Sequence, residues 1–228
     1  MGQKKLKKKV KIKIIPILIA LLIIGVLSGL VYFFSLVSIS NIYIKGNNYL
    51  TDQEIIENAK LENYPSFIKT SSSKIKSRVK KNPYVKNVKV IKKLPRTVVI
   101  KVEEYNILFR KEESGKIVLE DGKELDDNNK YSVPILLNYI PDTKYQSFLK
   151  QMNRINNSIK SEISEIRYYP NPQDDDRFLL HMNDGNLVYL TLTKFSQINY
   201  YEDVVDQLQG KKGILFLDSG NHFRVMEE

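Results

Sequence analysis

The sequence predicts an α+β protein carried on a single membrane-spanning helix, and three observations predict it. Ile14 to Val37 is a run of 24 residues without a charged side chain, directly after a block of lysines. Residues 38–104 read as strand, helix, helix, strand, strand. Residues 105–228 read as short strands divided by Asp-Gly turns and accompanied by two helix-like apolar stripes. The expected organisation is therefore a basic tail (1–13), a transmembrane helix (14–37), a small α+β domain (38–104) and a second mixed domain (105–228) with an antiparallel sheet and two helices.

A helix of 24 residues is about 36 Å long, enough to cross a hydrocarbon core of about 30 Å with some tilt. A cleaved signal peptide normally has an apolar core of about 7–15 residues. This run is longer and continues through Leu27, Leu30, Val31, Phe33 and Phe34. A buried soluble helix rarely stays uncharged on every face for so long. Pro16 lies in the first turn, where a missing N–H costs little. Lys4, Lys5, Lys7, Lys8, Lys9, Lys11 and Lys13 form the short basic flank that the positive-inside rule keeps in the cytoplasm. The expectation is a type II single-pass protein with everything after Val37 outside the cytoplasm. Gly25 and Gly29 have the small-xxx-small spacing of helix-packing notches, but glycine is common in membrane helices anyway.

The formal charge of +10 would by itself suggest nucleic acid. Seven of the 36 basic residues sit in the tail, and the 29 that remain face 26 acidic ones. The tail charge serves topology and attraction to acidic lipid. With no Cys, the chain uses neither disulfides nor thiolate chemistry.

In the first exported domain, Ile42 and Ile44 alternate with Tyr43 and Lys45 as in a half-buried strand, and Gly46-Asn47 ends it. Thr51-Asp-Gln-Glu54 is a capping box opening a helix with Ile55, Ile56 and Ala59. Pro65 interrupts the chain. Ser71-Ser-Ser-Lys then starts a second helix, with Ile75 and Val79 on one face and the serines as its cap. Pro83 follows its end. Val85, Val88 and Val90 mark a strand, Lys93-Leu-Pro-Arg96 a turn, and Val98, Ile100 and Val102 one face of a second strand. That face must pack on the two helices.

Ile-Lys-Gly-Asn, Leu-Thr-Asp-Gln-Glu-Ile, and Asn-Pro-Tyr-Val-Lys-Asn-Val-Lys-Val through Leu-Pro-Arg to Val-Glu-Glu104 together resemble a polypeptide-transport-associated (POTRA) domain. The unit is similar in particular to that of the bacterial division protein family FtsQ, called DivIB in Gram-positive bacteria. An anchor directly before the domain fits the same family.

From Tyr105 onward, Asn106–Arg110 and Lys116–Leu119 read as strands with Asp121-Gly122 as a turn. Tyr145, Phe148, Leu149, Met152, Ile155 and Ile159 recur at three and four, which predicts one amphipathic helix over 145–159. Ile163–Tyr168 is a strand, and residues 177–182 and 186–192 form a hairpin about Asp184-Gly185. Phe195, Ile198, Tyr201, Val205 and Leu208 predict a second helix. Ile214–Leu217 and His222–Met226 close the chain. The family's second domain has a similar succession of elements, and the chain departs from it in carrying almost no tail beyond the final strand.

No motif supports catalysis, a metal or a cofactor. His181 and His222 lack a neighbouring partner in sequence. Asp174-Asp-Asp176 lacks the alternating spacing of a calcium loop and reads as a solvated turn. Ser219 lacks a Gly-x-Ser-x-Gly context. Lys74, Lys76, Arg78, Lys80 and Lys81 form a basic stripe that reads first as a solvated helix face.

The resemblance implies a non-enzymatic, bitopic division scaffold. It would bind FtsB/DivIC-type and FtsL-type partners outside the membrane and help control septal peptidoglycan synthesis, enriched at the septum. In that family the last strand of the second domain presents an open edge to the FtsB-type partner. This places the expected interface on Phe223, Arg224 and Val225, with Leu215 and Leu217 in the supporting strand. For the two leucines, closure of the core is the stronger reading; for Phe223 and Val225 the alternatives stand level. A polypeptide-guiding module of envelope assembly is the second functional reading, but such modules usually repeat and precede a barrel.

Overall fold

A computed structural model describes residues 14–126, 130–208 and 210–226. The lysine block lies outside these residues. Helix α1 runs Ile14–Ser35, two residues short of the expected end at Val37, and residues 14–33 are exposed all round. Its segment Ile14–Phe33 is long and apolar enough to cross a bilayer. Beyond it the chain divides by contact density at Glu104/Tyr105.

The first unit contains β1 (Asn41–Lys45), α2 (Asp52–Ala59), α3 (Ser72–Val79), β2 (Val85–Lys93) and β3 (Thr97–Glu104). Its sheet has the order β1-β3-β2, with β1 parallel and β2 antiparallel to the central β3. Alternation works as expected: Val98, Ile100 and Val102 join Ile55, Ala59, Ile75 and Val79 in one core. The capping box forms in full, Thr51 accepting from the Glu54 N–H while Glu54 accepts from the Thr51 N–H. Ser71 takes the N-cap place of α3 but makes no side-chain cap bond.

Two further features fix this unit. The Glu104 carboxylate accepts from the N–H groups of Asn48, Tyr49 and Leu50 at 2.8, 2.7 and 3.1 Å, closing the loop after β1 onto the end of β3. Gly46 passes so close to β3 that a Cβ would stand 2.4 Å from the Val102 carbonyl oxygen, and its φ of +84° is one that glycine adopts freely.

The second unit comprises β4 (Ile107–Lys111), β5 (Ile117–Leu119), β6 (Glu124–Leu125), β7 (Ile135–Leu136), α4 (Asp142–Met152), α5 (Asn157–Glu162), β8 (Ile163–Tyr168), β9 (Arg177–Met182), β10 (Leu187–Thr191), α6 (Tyr201–Val205), β11 (Gly213–Phe216) and β12 (His222–Val225). One nine-stranded sheet runs β12-β11-β10-β9-β8-β7-β4-β5-β6. It is mixed rather than antiparallel as expected: β10 with β11, β8 with β7 and β7 with β4 are parallel pairs, because helices or long loops return the chain to the same end of the sheet.

The helical layer differs from the sequence expectation in two places. The stretch 145–159 is not one helix, because α4 ends at Met152 and α5 starts at Asn157. The Asn199 side chain holds the break, accepting from the Asn156 N–H and donating to the Arg154 carbonyl. The second expected helix is mainly 3-10, over Leu192–Tyr200 and Asp206–Leu208, with only α6 between. Phe195, Ile198 and Tyr201 are spaced by three, and a three-residue turn places them on one line. All three are buried against the sheet with Phe148 and Phe178. The Phe148 and Phe178 rings stack at 5.1 Å, and Phe195 meets both edge-on.

Candidate functional site

The last two strands carry the expected interface, and the structure sorts its residues. Leu215 and Leu217 are 4% and 6% exposed and belong to the core. Phe223 lies opposite Leu215 in the antiparallel β11–β12 pair and packs against the same core. Its ring crosses Gly213, where a Cβ would come within 2.6 Å of it and within 2.2 Å of the Arg224 carbonyl oxygen. Arg224 and Val225 are exposed.

Strand β12 is the outermost strand of the sheet. The Met226 N–H donates to the Lys212 carbonyl, so Met226, and by the two-residue period Arg224 and His222, turn their main chains toward β11. The N–H and C=O groups of Phe223 and Val225 therefore point to the open side. Toward the helical face, a groove of about 500 Å³ adjoins the edge, lined by Tyr200, Val204, Leu208, Leu217 and Phe223 among others.

The turn into that edge is held by a part-buried ion pair whose two members lie far apart in sequence. Arg177, at the start of β9, donates from Nε to Asp218 Oδ2 at 2.7 Å, and the two side chains are 11% and 9% exposed. The Arg177 guanidinium also lies 3.6 Å from the centre of the Tyr189 ring. Burial pushes the Asp218 carboxyl up, but hydrogen bonds from Arg177 and Ser219 and the Arg177 charge outweigh it and hold the group below its ordinary value. The Tyr189 carbonyl accepts from the Leu217 and Asp218 N–H groups, tying the turn into β12 to the adjacent strand. At the other end of β11, Asn186 accepts from the Gly213 N–H and donates to Tyr201 and Asp184.

The remaining reactive side chains have structural partners. His222 stacks on Phe216 at 4.7 Å, and His181 stands 3.8 Å from Glu165. Asp174 accepts from the Asp176 N–H and the Thr191 hydroxyl, while Asp175 and Asp176 pair with Lys144. Those carboxylates, Asp176 foremost, hold the Lys144 ammonium well above its ordinary pKa. Among the described residues no group of three His, Asp or Glu side chains could hold a metal ion. Arg78 of the basic stripe donates to the Ala59 carbonyl, and the stripe's lysines are exposed. What the geometry provides is an edge strand, braced from behind, beside a largely apolar groove.

A three-stranded sheet backed by two helices is the arrangement of a POTRA domain, and the apolar helix before it fits a membrane-anchored protein. The family model for the FtsQ-type POTRA domain matches residues 37–105. The cell division protein DivIB of Bacillus subtilis (strain 168) is 31% identical over 196 residues, covering 81% of this chain and 73% of that protein. DivIB of Listeria monocytogenes is 29% identical over 230 residues, 97% of this chain and 85% of that one. DivIB of Bacillus cytotoxicus is 27% identical over 207 residues, 87% and 81% of the two chains. A solved extracytoplasmic domain of DivIB from Geobacillus stearothermophilus covers 47% of this chain, at 22% identity and a TM-score of 0.39. The chain belongs to the DivIB family of cell division proteins.

Proposed function

We propose that this chain is a bitopic scaffold of the division machinery that works by strand addition at β12. Residues 1–13 lie in the cytoplasm, 14–37 span the membrane, and the 38–104 and 105–228 domains stand outside it, enriched at the septum. The partner is another bitopic division protein of the FtsB/DivIC type, with an FtsL-type protein in the same complex, and the assembly helps control septal peptidoglycan synthesis. No catalytic step is needed for this role.

The observation that carries the reading is the outward-facing main chain of Phe223 and Val225 on an edge that no strand among the described residues pairs. An added strand completes that ladder, and its side chains on the helical face enter the groove beside Phe223. Within the expected interface, Arg224 and Val225 are the surface residues, whereas Leu215, Leu217 and Phe223 shape the edge from within. Val225→Glu is therefore a cleaner test than a Phe223 substitution, because Val225 is 47% exposed. It is expected to abolish co-purification with the FtsB/DivIC-type partner while leaving thermal unfolding unchanged. Retained binding would overturn the edge assignment. Even distribution of the labelled chain over the envelope, with undisturbed division on its deletion, would overturn the division role.

A further inference from the structure

The POTRA unit has one end that is both apolar and basic, and it is the end at which the chain arrives from α1. Helix α1 stops at Ser35, and Val37 already belongs to the unit, because its carbonyl accepts from the Phe67 N–H. Ile39 donates to the Pro65 carbonyl, and Ser38 bridges Ser66. On the other side, Arg96 donates from Nε to the Ser38 carbonyl at 2.7 Å, and its own carbonyl accepts from Ser40. Two loops, α2–α3 and β2–β3, thus flank the emerging chain. Each is bonded to residues only two to five positions past the end of α1. Extended chain advances about 3.3 Å per residue, so these bonds lie within roughly 20 Å of the helix end.

The loops expose what an interior surface would hide. Leu94 is 86% exposed at the tip of β2–β3, and Tyr64 and Ile68 are each 50% exposed on α2–α3. Apart from Tyr43 on the sheet and Leu36 in the linker, these are the exposed large apolar side chains of residues 36–104. Lys69, Lys93 and Arg96 are exposed beside them, with Glu62 the opposing charge on the same loops. Residues 38–104 as a whole carry 14 Lys and Arg against six Asp and Glu. The chain leaves the unit at Glu104, at the far end of β3 from Thr97.

We propose that this end of the POTRA unit rests in the headgroup layer of the bilayer that holds α1, with Leu94 inserted at the interface and Lys69, Lys93 and Arg96 on acidic phospholipid headgroups. The inference rests on the reading of α1 as a membrane anchor. Apolar tips flanked by cations are the chemistry that recognises such an interface, the cations adding about fivefold each in affinity for an acidic surface. The two loops then brace the unit against the membrane, so that the domain does not swing freely on its linker.

The chain contains no Trp, so a single introduced one reports alone. The full chain carrying Leu94→Trp is reconstituted in bilayers of phosphatidylcholine with or without phosphatidylglycerol, using brominated acyl chains as quencher. Leu22→Trp, inside α1, and Tyr139→Trp, exposed in the second unit, are the references. The expected result is quenching and a blue shift at position 94, both growing with phosphatidylglycerol and reduced severalfold by Lys69→Glu with Lys93→Glu, while position 139 stays unquenched. Quenching at position 22 with water-like emission at position 94 would overturn the inference and leave the anchor standing. No quenching at position 22 would overturn the anchor itself, and the inference with it.

Discussion

Replacing Arg177 with Met is the most informative single change in the second unit. It leaves the Asp218 carboxylate, 9% exposed, without its cation and uncovers the Tyr189 ring. Breaking one side of a part-buried pair costs about 1.5–3 kcal/mol, because the surviving charge loses its charge-assisted hydrogen bond and stays partly desolvated. For a unit of this size each kcal/mol moves the midpoint by about 3–6 °C, so the variant is expected to melt roughly 5–18 °C lower. Arg177→Met with Asp218→Leu removes both charges and should recover most of the loss. The pH dependence has a definite sign. Since the folded-state pKa of Asp218 is depressed, the pair's contribution is present above the ordinary carboxylate pKa of about 4 and is lost as pH falls through the lower folded value. Wild type should therefore lose stability below about pH 4 more steeply than the variant. Calorimetry of residues 37–228 between pH 3 and 7 measures all three. A single variant melting within about 3 °C of wild type, or a double variant no better than the single, would refute the clamp.

Other consequences are equally specific. Val225→Pro deletes only an outward N–H and should remove partner-strand binding while changing unfolding free energy by less than about 1 kcal/mol, measured by titration and urea melts. Gly213→Ala drives a Cβ into the Arg224 carbonyl and the Phe223 ring, and is expected to cost about 2–4 kcal/mol in urea unfolding while loosening β12. Glu104→Ala frees three N–H groups of the β1–α2 loop and should destabilise the POTRA unit by about 2–4 kcal/mol, with faster amide exchange at Asn48, Tyr49 and Leu50. Burial lowers the Lys160 ammonium to about 8, so stability should rise between about pH 8 and 10 as the unfolded chain holds the extra proton; Lys160→Met should abolish that rise and stabilise by up to about 3 kcal/mol at pH 7.

The POTRA unit was legible in the sequence because its information is local. The capping box, the period of two in β1 and β3, and the Pro-bounded turn each declare an element within a few residues, and the elements then have one way to bury their apolar faces. The second unit was legible in its strands and less so in its helices. Stripes at three and four fit an α-helix, and the sequence window cannot contain Asn199, 43 residues beyond Asn156, whose amide holds the chain open between α4 and α5. The parallel pairings of β7 and β11 are likewise set by packing across long stretches of chain. The candidate edge was placed by the family resemblance. Which of its residues face outward required the register, since a shift of one residue exchanges Phe223 for Arg224. Arg177 and Asp218 lie 41 residues apart, and although Asp218-Ser-Gly220 resembles the family's turn into the last strand, nothing local joins it to Arg177. Such a pair becomes visible only when β9, β10 and β11 are side by side.

If a division partner binds by adding a strand to β12, backbone amide exchange records the new ladder residue by residue. Exchange at single-residue resolution is measured on residues 37–228, alone and with the extracytoplasmic segment of an FtsB/DivIC-type protein. On binding, the Phe223 and Val225 amides, which face the open side, are expected to gain protection of about tenfold or more. The Arg224 amide, already turned toward β11, should change less. Binding that leaves Phe223 and Val225 exchanging at their free rates, with protection elsewhere, would contradict strand addition.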